Sequence, residues 1–313
     1  MAKFYLGIDL GGTQIKIAVV NDKAVIIEEI VLDTDIQAKP SKIIKDIVSS
    51  LKNMKHYKKV KTIGIGIAGD VDSKKGVLRF SPNLPNWKNV MLKKEMEKLT
   101  GKKVFVDNDA NTASLGAFWL DLDGKATNIV CVTLGTGVGG GMILNKKLYT
   151  GTSGTAGEIG HMTVEPEGNR CNCGNRGCAE TYIGAKYLVR RALQLMKEHK
   201  SYNILKLADN DEFKITPKIL SLAASKGDKV AKIVWAEAGE KLAILLAGII
   251  NFINPDHIIL CGGISKACNE FYKPVYKKIK KRAFKSAVDS CKIVVSKYTN
   301  KLGVAGAAML AKN

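Results

Sequence analysis

The chain has 313 residues, 46% hydrophobic and 25% charged, enough to bury the cores of about two domains. That apolar content excludes an intrinsically disordered chain, and seven prolines without a glycine period exclude a collagen-like one. The 49 basic against 29 acidic residues give a net charge of +20, but only six of the bases are arginine and aromatics make up 6%, so a solvated lysine surface explains the charge better than a nucleic-acid groove.

Strand patterns open the sequence at 3–10, 15–20 and 25–32, with Gly11-Gly12 and Asn21-Asp22 as turns. Ser41 is expected to cap an amphipathic helix reaching about Met54, because Ile43, Ile44, Ile47, Val48 and Leu51 repeat at helical spacing. A buried strand at 60–68, a polar loop at 70–87, a helix at 90–99, a short strand at 104–106 and a helix from about Asp109 follow. The pattern then begins again with a strand at 128–134, a glycine loop at 135–141 and a strand at 142–144. Beyond a cysteine-rich insertion come helices near 181–197, 217–224 and 229–253. A strand at 257–261 ends in Gly262-Gly263, another is expected at 292–296, and a helix of small residues at 303–312 closes the chain. The lysine-rich stretch 277–282 reads as the solvated face of a helix.

Each half thus starts with strand, glycine turn and strand, a weak duplication that predicts two related α/β domains around a cleft. The expected domains are 1–117, completed by 302–313, and 118–301 with the cysteine-rich insertion. The longest apolar stretch, 242–253, is about 12 residues where a membrane span needs roughly 20, so it reads as a buried helix. The start of the chain lacks a signal peptide's apolar region, and a cytoplasmic location is expected.

Two segments match the dinucleotide pattern G-x-G-x-x-G, Gly64 to Gly69 and Gly135 to Gly140. That fingerprint needs a following helix to receive a pyrophosphate, and neither segment is followed by one, so both read as decoys. The segment Asp9-Leu10-Gly11-Gly12-Thr13-Gln14-Ile15-Lys16 lies between two strands, where glycine amides and the Thr13 hydroxyl suit phosphate oxygens and Asp9 suits Mg²⁺ held through water. Gly135-Thr136-Gly137 repeats that setting in the second half, and two such hairpins facing each other would clamp a triphosphate. Of seven cysteines, Cys171, Cys173 and Cys178 fall within eight residues, ten after His161. One histidine and three cysteines suit a tetrahedral structural Zn²⁺ site.

Taken together, these motifs give the chain a resemblance to the ROK family (repressor, open reading frame, kinase), and within it to the glucokinases. The resemblance is carried by Asp9 to Lys16, Asn83, Asn108-Asp109, the loop at Gly135, Gly157 to His161, the cysteine cluster with Glu180, and Gly262-Gly263. It implies the two-domain sugar kinase, heat-shock protein and actin fold, with a nucleotide and sugar cleft. It further implies ATP-dependent phosphorylation of glucose at the 6-hydroxyl, with Asp109 as catalytic base. Asp107 is a neighbouring rival, and capping of the next helix is an alternative role for Asp109. By the same resemblance Gly69, Asn83, Asn108, Asp109, Glu158, His161 and Glu180 are expected around the sugar. Asp9, Gly11, Gly12, Thr13, Gln14, Lys16, Gly135, Thr136, Gly137, Gly262 and Gly263 are expected around ATP and Mg²⁺. A homo-oligomer, dimer or tetramer, is implied, with no nucleic-acid or membrane partner. Two alternatives stay open: a kinase for another hexose or N-acylhexosamine (N-acetylmannosamine, mannose or fructose), and a sugar-sensing regulator. Against the regulator, the chain enters its first strand at Lys3 without a preceding helix-turn-helix.

Overall fold

A computed structural model of the chain describes residues 3–312. The opening strands β1 (Tyr5–Leu10), β2 (Gln14–Val20) and β3 (Ile26–Asp33) form an antiparallel meander. The helix α1 (Pro40–Lys52) begins one residue before the expected Ser41 cap: Lys39 stands at the cap without a side-chain bond, and Pro40 starts the first turn. The strand β4 (Thr62–Ile67) returns parallel to β1. The expected polar loop at 70–87 is instead folded into β5 (Asp70–Asp72) and β6 (Val77–Phe80), joined by β7 (Lys88–Val90) in a small antiparallel sheet. Arg79 ties its strand to the neighbouring one through Asp70 at 2.8 Å and Asp72 at 3.1 Å, a polar pairing that hydropathy patterning misses. The helix α2 (Leu92–Thr100) leads to β8 (Lys103–Asn108), parallel to β4, and α3 (Asp109–Leu120) follows without an intervening loop.

The second meander is β9 (Ile129–Leu134), β10 (Val138–Leu144) and β11 (Lys147–Tyr149). Here the expected glycine loop is shorter than its glycines: only Gly135–Gly137 turns, and Gly139–Gly141 are strand residues of β10. A Cβ on Gly141 would lie 2.3 Å from Ser114 Oγ, so that glycine serves strand-to-helix packing. The expected helix at 181–197 is broken at Gly184 into α4 (Glu180–Ile183) and α5 (Ala185–Glu198). Then come α6 (Asn203–Lys206), α7 (Pro217–Ser225), α8 (Lys229–Ile253), β12 (His257–Cys261), α9 (Asn269–Arg282), α10 (Lys285–Ser290), β13 (Lys292–Val295) and α11 (Leu302–Leu310). No helix of the described residues is long and apolar enough to cross a membrane.

The first five-stranded sheet has the order β3-β2-β1-β4-β8, and the second the order β11-β10-β9-β12-β13. Counted within each sheet both read 3-2-1-4-5, so the duplication seen in the sequence is a repeated topology. Contacts divide the chain into two compact units. One runs to Cys131 and adds Gly140–Gly157 and the segment from Ser296 onward; the other comprises Val132–Gly139 and Glu158–Val295.

In the first unit, one face of the sheet buries Leu6, Ile8, Ile15 and Ile17 against Ile44, Ile47 and Leu51 of α1. On the other face Ala18 and Val20 meet Val304, Ala305 and Ala308 of α11. That second layer is backbone-close: a Cβ on Gly7 would lie 2.0 Å from the Val304 carbonyl oxygen, and one on Gly64 1.8 Å from that of Ala307. The first G-x-G-x-x-G match is thereby explained as helix-to-sheet packing. In the second unit α8 is the central helix, capped by Asp228, whose Oδ1 accepts from the Ala231 N–H at 2.8 Å. Trp235 of α8 packs edge-on against Phe271 of α9, ring centres 5.4 Å apart.

Candidate functional site

In the first unit three acidic or amide side chains emerge where β8 becomes α3. Asn108 caps the helix, its Oδ1 accepting from the Ala110 N–H at 2.8 Å, while its Nδ2 donates to the Gly69 carbonyl at 3.0 Å. The capping role considered for Asp109 therefore belongs to its neighbour. Asp107 is 4% exposed, and its Oδ1 accepts from the Asn108 N–H and from Asn111 Nδ2, each at 2.8 Å. Its carboxylate is engaged inside the unit. Asp109, the first residue of α3, accepts from the Ala110 N–H at 3.0 Å and stays partly exposed. Burial raises its pKa, against the lowering effect of hydrogen bonds from Ala110 and Asn108.

Asp9 is the next-to-last residue of β1 and interacts electrostatically with Asp109. Burial first, and the Asp109 charge second, push the Asp9 pKa up to about 6, with Lys16 pulling the other way. The hairpin between β1 and β2 is tight, its Gly11 N–H donating to the Gln14 carbonyl at 3.1 Å. Thr34 braces it by donating from Oγ1 to the Gly11 carbonyl at 2.9 Å. A Cβ on Gly12 would come 3.0 Å from Asn83 Cβ, so the glycine lets the exposed Asn83 approach the hairpin. Lys16 Nζ donates to the Asn300 carbonyl at 3.1 Å. The structure thus brings Asp9, Gly12, Asn83, Gly69, Asn108 and Asp109 into linked positions within one unit.

Gly303, which sequence reading passed over, belongs to the same neighbourhood. A Cβ there would lie 2.4 Å from Asp9 Oδ2, so any larger residue would displace the carboxylate. Its only signal in the sequence is a glycine inside an otherwise good helical run.

In the second unit the turn Gly135–Gly137 closes on itself, Gly135 N–H to Gly137 carbonyl at 3.0 Å. Glu180 reaches it, its Oε2 accepting from the Val138 N–H at 3.1 Å. A Cβ on Gly137 would stand 2.1 Å from that same oxygen, so glycine is required for the contact. Gly262 has φ +89°, and a Cβ there would lie 2.3 Å from the Leu134 carbonyl oxygen. It leads into a short 3₁₀ turn, Gly263–Lys266, with Gly263 exposed. Thr136 is exposed at the tip of its turn.

His161 ends a 3₁₀ turn, Ile159–His161, and faces two ways. Its Nδ1 is 3.7 Å from Cys171 Sγ, and its Nε2 is 3.9 Å from Glu158 Oε2. Cys173 Sγ and Cys178 Sγ are 3.6 Å apart, and one ligand atom from each of the four residues lies within 4.8 Å of the others. Sulfurs each about 2.3 Å from a tetrahedral zinc are about 3.8 Å apart, so the spacing fits such an ion. The loop is shaped for this by Gly174 at φ +96° and Gly177 at φ +71°. At the first, the Gly174 N–H donates to the Cys171 carbonyl at 3.1 Å. At the second, a Cβ would fall 1.6 Å from the Glu165 carbonyl oxygen.

Known proteins share this architecture and sequence. The sequence profile of the ROK family matches residues 5–313. A glucokinase of Thermotoga maritima is 36% identical over 307 residues, covering 98% of this chain and 96% of the relative. A ROK family glucokinase of Streptomyces griseus, solved in complex with glucose and AMPPNP, superposes with a TM-score of 0.83 at 32% identity over 99% of both chains. A xylose repressor of Caldicellulosiruptor bescii is 31% identical over 306 residues, 96% of this chain and 76% of the repressor.

Proposed function

The chain belongs to the ROK family, and from that premise we propose that it is an ATP-dependent hexokinase that phosphorylates glucose at the 6-hydroxyl. The fold is the two-domain actin-like one of ROK sugar kinases. One observation carries the chemical reading: at the β8–α3 junction Asn108 caps the helix and Asp107 is bonded within the core, whereas Asp109 presents a partly exposed carboxylate whose pKa burial raises and whose Oδ1 accepts from the Ala110 N–H. A carboxylate with a raised pKa is a stronger base than an ordinary one and is suited to accept a hydroxyl proton.

In the proposed reaction the sugar O6 attacks the γ-phosphorus as its proton passes to Asp109. The bond from the γ-phosphorus to the β,γ-bridging oxygen breaks, and ADP leaves with those electrons. Asn83, Asn108, Glu158, His161 and Glu180, with the backbone of Gly69, would bind and orient the sugar hydroxyls, since amides and carboxylates donate to and accept from a polyol in fixed directions. Amides of Gly11, Gly12 and Thr13, and of Gly135, Thr136 and Gly137, would hold phosphate oxygens, helped by Gln14 and Lys16; Gly262 and Gly263 would face the adenosine. Asp9 would hold magnesium of the nucleotide through water, and that ion would neutralise phosphate charge. His161, Cys171, Cys173 and Cys178 would hold a structural zinc, which would fix the loop and the imidazole and leave Nε2 toward Glu158 and the sugar. The cell setting that fits this reading is cytoplasmic, with the enzyme acting as a homo-oligomer that sedimentation would size.

Purified protein with ATP and Mg²⁺ should release ADP only when sugar is added, glucose being the best of a panel that includes mannose, fructose and N-acetylmannosamine. Absence of sugar-dependent turnover across the panel would overturn the enzyme reading, and a better substrate than glucose would reassign the sugar.

A further inference from the structure

In the second unit, two stretches that carry ligands of the cysteine cluster converge on one residue of the neighbouring hairpin. Val138 follows the Gly135–Gly137 turn and begins β10. On one side its carbonyl meets Gly160, the residue before His161: a Cβ on Gly160 would lie 1.9 Å from the Val138 oxygen, so the two backbones touch. On the other side its N–H donates to Oε2 of Glu180, which stands two residues after Cys178, at 3.1 Å. The two stretches are also joined directly, the Ala179 N–H donating to the Met162 carbonyl at 3.0 Å.

The short helix α4 extends this hold to the rest of the turn. Its base is fastened to the cluster, the Thr181 N–H and Oγ1 both donating to the Cys178 carbonyl, at 2.9 and 2.8 Å. Just past its end the Ala185 N–H donates to the Gly135 carbonyl at 3.0 Å. At Gly184, between them, a Cβ would stand 3.0 Å from the Thr136 carbonyl oxygen. The turn itself holds two glycines, which restrict the backbone little. Its shape is therefore set largely from outside, by segments that begin at His161 and Cys178. Amides that are already ordered bind an anion without the entropic cost of ordering them.

We propose that the metal state of the His161, Cys171, Cys173 and Cys178 cluster sets the affinity of the Gly135–Gly137 turn for nucleotide phosphate. Gly160 and Glu180 are the positioning residues: with His161 and Cys178 held to one ion they fix Val138 and the turn's amides, and without it the turn loosens. The inference rests on the proposed zinc and nucleotide sites and adds an energetic link between them. Linkage makes that link reciprocal, so nucleotide must tighten zinc by the factor by which zinc tightens nucleotide.

Equilibrium dialysis of the full chain with AMPPNP tests it, with Mg²⁺ present and sugar absent, so that neither turnover nor the proposed sugar contacts enter. Stripping zinc with a zinc-selective chelator should weaken AMPPNP about tenfold or more, within the range of coupled sites. Adenosine, which has no phosphate for the turn, should stay within about twofold, whereas general unfolding would weaken both. Chelator competition should show zinc held more tightly in saturating AMPPNP, by the same factor. Glu180→Ala should still bind about one zinc per chain, yet lose most of the zinc dependence of AMPPNP binding. Glu180→Gln, whose amide oxygen can accept from the Val138 N–H, should restore it. AMPPNP affinity that is the same with and without zinc, an equal loss of adenosine, or an unchanged dependence in Glu180→Ala would each overturn the link and leave both sites standing. A chain that takes up no zinc, or no AMPPNP, would overturn the link together with the site reading beneath it.

Discussion

Asp9 and Asp109 stand at the end of β1 and at the start of α3, each held by a ladder of backbone hydrogen bonds that the rest of the first unit completes. His161, Cys171, Cys173 and Cys178 stand on a stretch with no named strand, shaped by two positive-φ glycines and isolated bridges such as Thr163 to Cys178. The first arrangement forces two carboxylates together and holds them there at an electrostatic cost. The second gathers ligands whose thiols and imidazole gain a reason to meet only when an ion binds. Groups held by the frame and groups proposed to be held by an ion should therefore respond to opposite treatments, and experiment can separate them.

The largest effect should come from taking the proposed zinc away. Chelation, or Cys178→Ser, should remove on the order of 10 kcal/mol of local folding free energy from the cysteine loop. Hydrogen exchange should then rise across the cysteine loop and remain unchanged in β1, β4 and β8. Metal analysis should find about one zinc per chain; a metal-free protein with a protected loop would erase the contrast. Next, Asp109→Asn should cut turnover ~10²–10⁴-fold with the sugar KM nearly unchanged, read by a coupled ADP assay. Asp107→Asn should instead act through the stability of the β8–α3 junction, so near-normal turnover in Asp109→Asn would transfer the chemistry elsewhere.

A smaller effect concerns the cost of the carboxylate pair. The Asp9 pKa is raised from 3.8 to about 6, so the folded chain binds that proton more tightly than the unfolded one. The resulting stabilisation is fully present below pH ~4 and is lost as pH rises through ~6, a swing of up to ~3 kcal/mol. Asp9→Asn should therefore be more stable than the parent at pH 7.5, and the difference should shrink on acidification; denaturant melts at several pH values measure it. A constant difference would mean that the pair is not strained. The smallest effect is the cap: Asn108→Ala should cost about 0.5–2 kcal/mol, while Asn108→Asp preserves the capping acceptor.

How far the sequence discloses such features depends on what specifies them. Helix α8 and strand β12 have the expected bounds, because a long apolar period lies between an Asp228 cap and the Asn254-Pro255 break. The cysteine cluster is equally plain, since its ligands are near neighbours in the chain. The hairpin of β5 and β6 is hidden because its strands are short and polar and are paired through Arg79. Contacts such as Gly137 with Glu180, or Gly303 with Asp9, are invisible along the chain, for each joins residues whose distance is set only by tertiary packing.

The backbone-close packing of α11 has a consequence for how the protein is made. Gly7 and Gly64 meet the carbonyls of Val304 and Ala307, so the first sheet lacks one of its covering layers until residues some three hundred positions later have been synthesised. At ~5–20 residues per second that interval lasts roughly 15–60 seconds. During it, the apolar face bearing Ala18 and Val20 has no α11 against it on the nascent chain, while the segments of the second unit are already being translated. Nascent first-unit fragments ending before Leu302 should accordingly be captured by chaperones that bind apolar surface, and release should follow once α11 is supplied, even as a separate peptide.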